Sequence, residues 1–119
     1  MAEVRDINLQ KDRLRFRKNL YRLGEILAYE FSKSLNYNEV VITTPMAQAK
    51  TMLLSEQPIL IPILRAALPF YEGIQNFFDY ADAGFVGAAR ADDFSATGAI
   101  DFGYAAVPDI SNKIVTLID

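Results

Sequence analysis

A chain of 119 residues with 51% hydrophobic and 23% charged residues has the make-up of one soluble globular domain spanning residues 1–119. It holds no cysteine and no histidine, which excludes disulfides, thiolate nucleophiles, histidine relays and the usual zinc or iron sites, and leaves only a hard cation such as magnesium, held by oxygen. The net charge of −3 conceals a basic start, in which Arg5, Lys11, Arg13, Arg15, Arg17, Lys18 and Arg22 outnumber Glu3, Asp6 and Asp12. The basic residues alternate with Leu14, Phe16 and Leu20 on a helical pattern, which favours a solvated or subunit-facing helix side over a nucleic-acid surface. No apolar run approaches the roughly 20 residues that span a bilayer, and Met1 to Asp6 has no apolar signal core, so no membrane partner and a cytoplasmic location are expected.

In chain order, Phe16, Leu20, Leu23, Leu27 and Phe31 recur at helical spacing and predict an amphipathic helix over about residues 9–34, within an N-terminal segment 1–36. Asn36-Tyr37-Asn38 breaks it, and Glu39 to Thr44, ahead of Pro45, reads as a β-branched strand. Pro58 to Leu64 is continuously apolar and short, as expected of a strand buried on both faces, with Pro62 marking a local irregularity in its ladder. Ala67, Phe70, Tyr71, Ile74, Phe77, Phe78 and Ala81 predict a second helix, with Pro69 in its first turn. Gly84 to Ala89 closes a βαβ unit that should be parallel and right-handed. Residues 91–106 read as a flexible loop or hairpin, in which a strand from Ile100 to Ala106 is expected, and Lys113 to Ile118 gives a last strand. The class is α/β, with a Rossmann-like parallel sheet whose faces are covered.

Outside the N-terminal segment 1–36 the only arginines are Arg65 and Arg90, and each directly follows an apolar strand candidate. Asp119 follows a third. Ligands of open parallel sheets bind at the carboxyl ends of the strands, so these residues are expected to share one crevice. Arginine forks match phosphate oxygens and aspartate can hold magnesium, which suits a doubly charged anion with its metal. The same arginines could instead form ordinary surface ion pairs with Glu72, Asp92 or Asp93.

Ile61-Pro62-Ile63-Leu64-Arg65-Ala66-Ala67-Leu68 closely resembles the V-P-I-L-R-A-G-L motif of the uracil phosphoribosyltransferases. Phe16-Arg17, Tyr29-Glu30, Thr44-Pro45, Val86-Gly87 leading to Arg90, Tyr104 before Pro108, and Ile114 to Asp119 follow in the family's order through nearly the whole chain. The resemblance implies an incomplete type I phosphoribosyltransferase fold with an N-terminal helix and a hairpin lid. The implied reaction transfers ribosyl 5-phosphate from phosphoribosyl pyrophosphate to uracil, giving UMP and pyrophosphate, a step of pyrimidine salvage. Magnesium would be the ion, with no acid or base side chain assigned. Arg65, Ala66, Arg90 and Asp119 would bind phosphoribosyl pyrophosphate, with Asp119 also the candidate metal ligand. A homodimer or other self-association is implied as well.

The segment departs from the family's pattern at Ala67, where glycine is usual and where alanine limits the loop's backbone, and at Ala89, where an aromatic residue is common. In the family the strand matching Ile114 to Ile118 leads into an Asp-x-x-x-Ala-Thr-Gly phosphate loop. Ala96-Thr97-Gly98 lacks that context and is not taken for it. Residues 1–119 by themselves are therefore expected to bind pyrophosphate weakly and not to turn over, and to associate through an unpaired strand edge. The alternatives are a non-catalytic anion-binding or assembly module, and a nucleotide-sensing or RNA-binding regulator of the same fold.

Overall fold

Asp12 starts the main helix by accepting the backbone N–H groups of Leu14 and Arg15 at 3.1 and 3.0 Å, which satisfies two donors that a helix start leaves without partners. From this cap α2 runs over Arg13–Ser32, preceded by a single-turn helix α1, Ala2–Arg5, and a 3-10 turn, Leu9–Lys11. The computed structural model describes residues 1–90 and 100–119. The predicted helix is thus present, trimmed at its start by the cap and at its end by Lys33.

Two strands, β1 (Tyr37–Thr43) and β2 (Gln48–Leu54), pair antiparallel in a sheet of their own. The turn between them is tied by Thr44, whose hydroxyl donates to the Ala47 carbonyl and whose oxygen accepts the Ala47 N–H. Only β1 was expected, and it begins earlier, at Tyr37. The hairpin is exposed along nearly its whole length, Val41, Ile42, Met52 and Leu53 included. The molecule is elongated, 64 × 37 × 20 Å, with a radius of gyration of 18.4 Å. A compact domain of this length would have about 13.5 Å.

The second sheet has the order β5-β4-β3-β6, built from β3 (Ile59–Leu64), β4 (Phe85–Arg90), β5 (Ile100–Ala106) and β6 (Val115–Ile118). β3 is parallel to both β4 and β6, which bears out the parallel βαβ unit, and β5 adds antiparallel at the edge with a register shift between Gly87 and Ala88. Residues 91–99 of the expected hairpin lie outside the described residues, and 100–106 are β5. Pro62 has the consequence expected of it. On the β6 side the ladder is continuous from Ile59 to Pro62, but on the β4 side it is confined to Ile63 and Leu64, with one further bridge at Leu60.

The helix after β3 is shorter than its apolar period suggests. α3 spans Leu68–Gln75, with Pro69 in its first turn, and Asn76 ends it. Phe78 lies beyond that end yet is 2% exposed, packed edge-on to Phe31 with ring centroids 5.9 Å apart. Leu60, Ala67, Tyr71, Ile74, Phe78, Ile118 and Ala28 form the core between sheet and helices. Covered faces hold for β3, whose first four residues are all buried. They do not hold for β6, where Leu117 is 65% exposed because no described element packs on that side.

The face that α2 buries differs from the expected stripe. Gly24, Ala28 and Ser32 are its buried residues, whereas Leu27 is 50% exposed and Leu20 and Leu23 are only half-buried. Small residues explain this. A Cβ on Gly24 would collide with the Phe70 carbonyl oxygen, and one on Gly73 of α3 with the Tyr21 carbonyl oxygen, so the two helices touch backbone to backbone. Close approach at glycine outcompetes burial of the bulkier leucines beside it.

Candidate functional site at the carboxyl edge of the sheet

Because β3, β4 and β6 are parallel, their carboxyl ends lie along one edge of the sheet. Arg65 follows the central strand, whose Leu64 sits opposite Gly87. Arg90, placed by its backbone, is the last residue of β4, and Asp119 follows Ile118, the partner of Pro62. The expected convergence at one edge is therefore present at the level of strand ends. The Leu64–Arg65 peptide bond is cis, and Arg65 and Ala66 are exposed in the turn before α3.

Ala67, which stands where glycine was expected, is the residue just before α3, with φ −66° and ψ −13°. That is ordinary helical backbone, and its methyl group is buried in the core. Alanine costs nothing conformationally here, so the anticipated restriction of the loop does not arise.

At the level of cavities the strand-end residues divide. Arg65 lines a cleft of about 380 Å³ whose walls are Leu14, Arg17, Lys18 and Tyr21 of α2 and Leu68, Pro69 and Glu72 of α3. Ala66 and Asp119 line a second cleft of about 590 Å³, walled by Phe16, Leu20, Leu23 and Leu27 of α2 with Ala67 and Phe70. The two clefts flank the buried stripe of α2. The leucines expected to lie on a core thus form an open apolar wall instead. Arg65 and Asp119 share an edge but no cavity among the described residues.

The cleft at Arg65 is electropositive. Arg17, Lys18 and Arg65 face a single carboxylate, Glu72, and none of the three cations forms an ion pair among the described residues. The ammonium of Lys18 stands 5.8 Å from the centre of the Tyr21 ring. Burial pushes the Tyr21 phenol above its ordinary value, and the negative charges of Glu25 and Glu72 push it further the same way, so it stays a neutral hydrogen-bonding group.

For magnesium the donor set is sparse. Among the described residues no three acidic side chains gather into a cage, and Asp119 is a single exposed carboxylate on a mainly apolar cleft. These residues do not make a resident metal site. Magnesium commonly binds through only one or two carboxylates plus the phosphates of a ligand, and only that mode is compatible with what is present. No described helix is long and apolar enough to cross a membrane.

Compared with known proteins, residues 1–119 match the family model described as uracil phosphoribosyltransferase. The chain belongs to the uracil phosphoribosyltransferase family. A uracil phosphoribosyltransferase of Porphyromonas gingivalis is 41% identical over 119 residues, covering 100% of this chain and 55% of the relative. One from Methanothermobacter thermautotrophicus is 36% identical over 106 residues, 87% of this chain and 48% of the relative. The fold is similar to the structure of the AQ2163 protein from Aquifex aeolicus, with a TM-score of 0.78 and 32% identity over 87% of this chain and 49% of that one. The chain spans about half the length of the curated relatives it matches.

Membership of this family places the resemblance around Arg65 on firm ground, while Arg17 and Lys18 escaped the reading of the sequence. They were read as part of a solvated or subunit-facing helix side. A signal was there: Leu14, Arg17, Lys18 and Tyr21 repeat at three and four residues, a stripe of cations with an aromatic ring on one helical flank.

Proposed function

We propose that the whole protein transfers ribosyl 5-phosphate from phosphoribosyl pyrophosphate to uracil, giving UMP and pyrophosphate in pyrimidine salvage in the cytoplasm. The observation that carries this is the position of Arg65: it ends the central parallel strand, in the segment that matches the family's motif, and opens into an electropositive cleft. In the reaction a ring nitrogen of uracil bonds to the ribose C1 and loses its proton to the departing pyrophosphate or to water, the bond from C1 to the pyrophosphate oxygen breaks, and negative charge grows on the leaving group. A fixed guanidinium at that oxygen stabilises the developing charge without taking a proton, in keeping with a chain that has no histidine. Arg90 at the neighbouring strand end and the backbone at Ala66 would hold the rest of the pyrophosphate. Magnesium would ride on the phosphate oxygens, neutralising their charge, with Asp119 as the carboxylate nearest that edge.

The test is UMP formation from uracil and phosphoribosyl pyrophosphate. Arg65→Ala should lower kcat/KM by about 10- to 100-fold, the worth of one charge-assisted contact, with the thermal midpoint unchanged. Full activity in that variant would remove Arg65 from the site. A non-catalytic assembly role is the second reading, favoured by the exposed apolar residues Val41, Ile42, Met52 and Leu53 of the β1–β2 hairpin. Self-association as a homodimer is compatible with both. An Ile42→Asp, Leu53→Asp variant that sediments as the unaltered protein does would argue against the hairpin as the contact.

A further inference from the structure

The segment ahead of α2 is folded back along it by two carboxylates that tie turns. Asp6 accepts the backbone N–H groups of Asn8 and Leu9 at 2.8 and 3.1 Å, and Asp12 caps α2, so α1 returns beside the helix that follows it. Neither α1 nor the 3-10 turn buries a residue, and four residues are too few to hold a helix without outside contacts. Among the described residues the polar tie from α1 to α2 is Glu3. Its carboxylate accepts a hydrogen bond from the Asn19 amide at 2.8 Å and pairs with the Arg15 guanidinium at 3.3 Å. Arg22 donates to the Asn19 side-chain oxygen at 3.4 Å, an arrangement that leaves the amide N–H directed at Glu3. Arg15, Asn19 and Arg22 lie on one flank of α2, and the next turn of that flank carries Leu23 and Ile26. Met1 stands beside those two residues. There it lines both a cleft of about 330 Å³ between α1 and α2 and the apolar cleft that also holds Leu27 and Asp119.

We propose that residues 1–11 are a strap over the apolar cleft, closed by the Glu3 latch, with Met1 as its tip. Release of the latch withdraws Met1 and uncovers Leu23 and Ile26 beside Leu27. The latch is weak: the side chains of Arg15 and Glu3 are 53% and 43% exposed, so dissolved ions screen their attraction. Because Ala66 and Asp119 line the same cleft, ionic strength thereby sets how much apolar surface lies beside the carboxyl edge of the sheet. The strap is independent of any anion at Arg65, which lines the other cleft.

The test follows two readouts on the 119-residue chain, with Met1 confirmed by intact mass. One is hydrogen exchange of the Asp6 amide, which donates to the Ala2 carbonyl at 3.0 Å within α1; the other is fluorescence of the neutral apolar dye N-phenyl-1-naphthylamine. Glu3→Ala should speed the exchange about 5-fold and raise the dye fluorescence about 2-fold. Sodium chloride at about 0.5 M should move both readouts the same way in the unaltered chain and add nothing in the variant. Glu56→Ala, which removes the partner of Lys113 away from the strap, should change neither. A chain lacking Met1 separates tip from latch: it should gain fluorescence while the exchange stays slow. Equal exchange in Glu3→Ala and the unaltered chain overturns the latch. Faster exchange with no gain in fluorescence overturns the strap as a cover of the cleft.

Discussion

The two helices meet where their side chains vanish, and the rest of α2 lies open where its side chains are large. At the first place Gly24 and Gly73 bring backbones into contact and bury Ala28 and Ser32. At the second, Leu20, Leu23 and Leu27 wall an apolar cleft beside Asp119. One helix thus has a structural seam and, on the flanks of that seam, two lined cavities, one apolar and one cationic. The seam holds the two helices together, and the clefts that could take a ligand lie beside it.

The largest expected effect follows from breaking the seam. Gly73→Val forces a branched side chain into the Tyr21 carbonyl, and since backbone cannot move aside without separating the helices, a loss of about 3 kcal/mol or more is expected. Chemical denaturation would show this as a lowered midpoint or the absence of a cooperative transition. A cavity in the core beside the seam comes next. Phe78→Ala should cost about 3 to 5 kcal/mol if the site cannot collapse, and the lower figure if Phe31 and Phe77 close in. The open flank provides the contrast: Leu27→Ser, at a half-exposed position, should change stability by no more than about 0.5 kcal/mol. A large loss there would mean that the open wall is part of the core.

A smaller effect should be visible in alkali. Burial raises the Tyr71 phenol above its ordinary value, so the folded chain keeps it neutral at a pH where the unfolded chain ionises it. Stability is then whole below the ordinary tyrosine value of about 10 and falls as pH rises through and above it. Lys113 acts in the same direction, its ammonium held protonated by the hydrogen bond and charge of Glu56. Thermal midpoints measured between pH 8 and 11 should decline less in Tyr71→Phe than in the unaltered chain, and parallel curves would contradict the assignment.

What could be read in the sequence followed from how strongly each segment is patterned. The unbroken apolar run Pro58 to Leu64 has one natural home, the middle of a parallel sheet, and from it came both the position of β3 and the placement of Arg65 at a strand end. The α2 helix was legible from its period, but not the face it buries. Hydropathy registers leucines and is silent about a glycine that lets two backbones touch. The strand Gln48–Leu54 was invisible because Gln48-Ala49-Lys50-Thr51 has neither alternation nor strong β propensity, and it is held by its ladder with β1 and by the Thr44 turn. The α3 helix was overread because Phe77 and Phe78 keep the apolar period after the helix has ended at Asn76. At the candidate site, Arg65 was legible through its motif. Arg17 and Lys18 were not, since only the packing of α2 on α3 brings them to the same cleft.

The central claim is that Arg65, at the carboxyl end of the central strand, holds pyrophosphate. Its most direct test is a phosphorus NMR titration of magnesium pyrophosphate with the unaltered chain and with Arg65→Ala at matched stability. The account predicts a concentration-dependent shift or broadening of the pyrophosphate resonance with the unaltered chain, and its loss in the variant. An identical response from both proteins would contradict it.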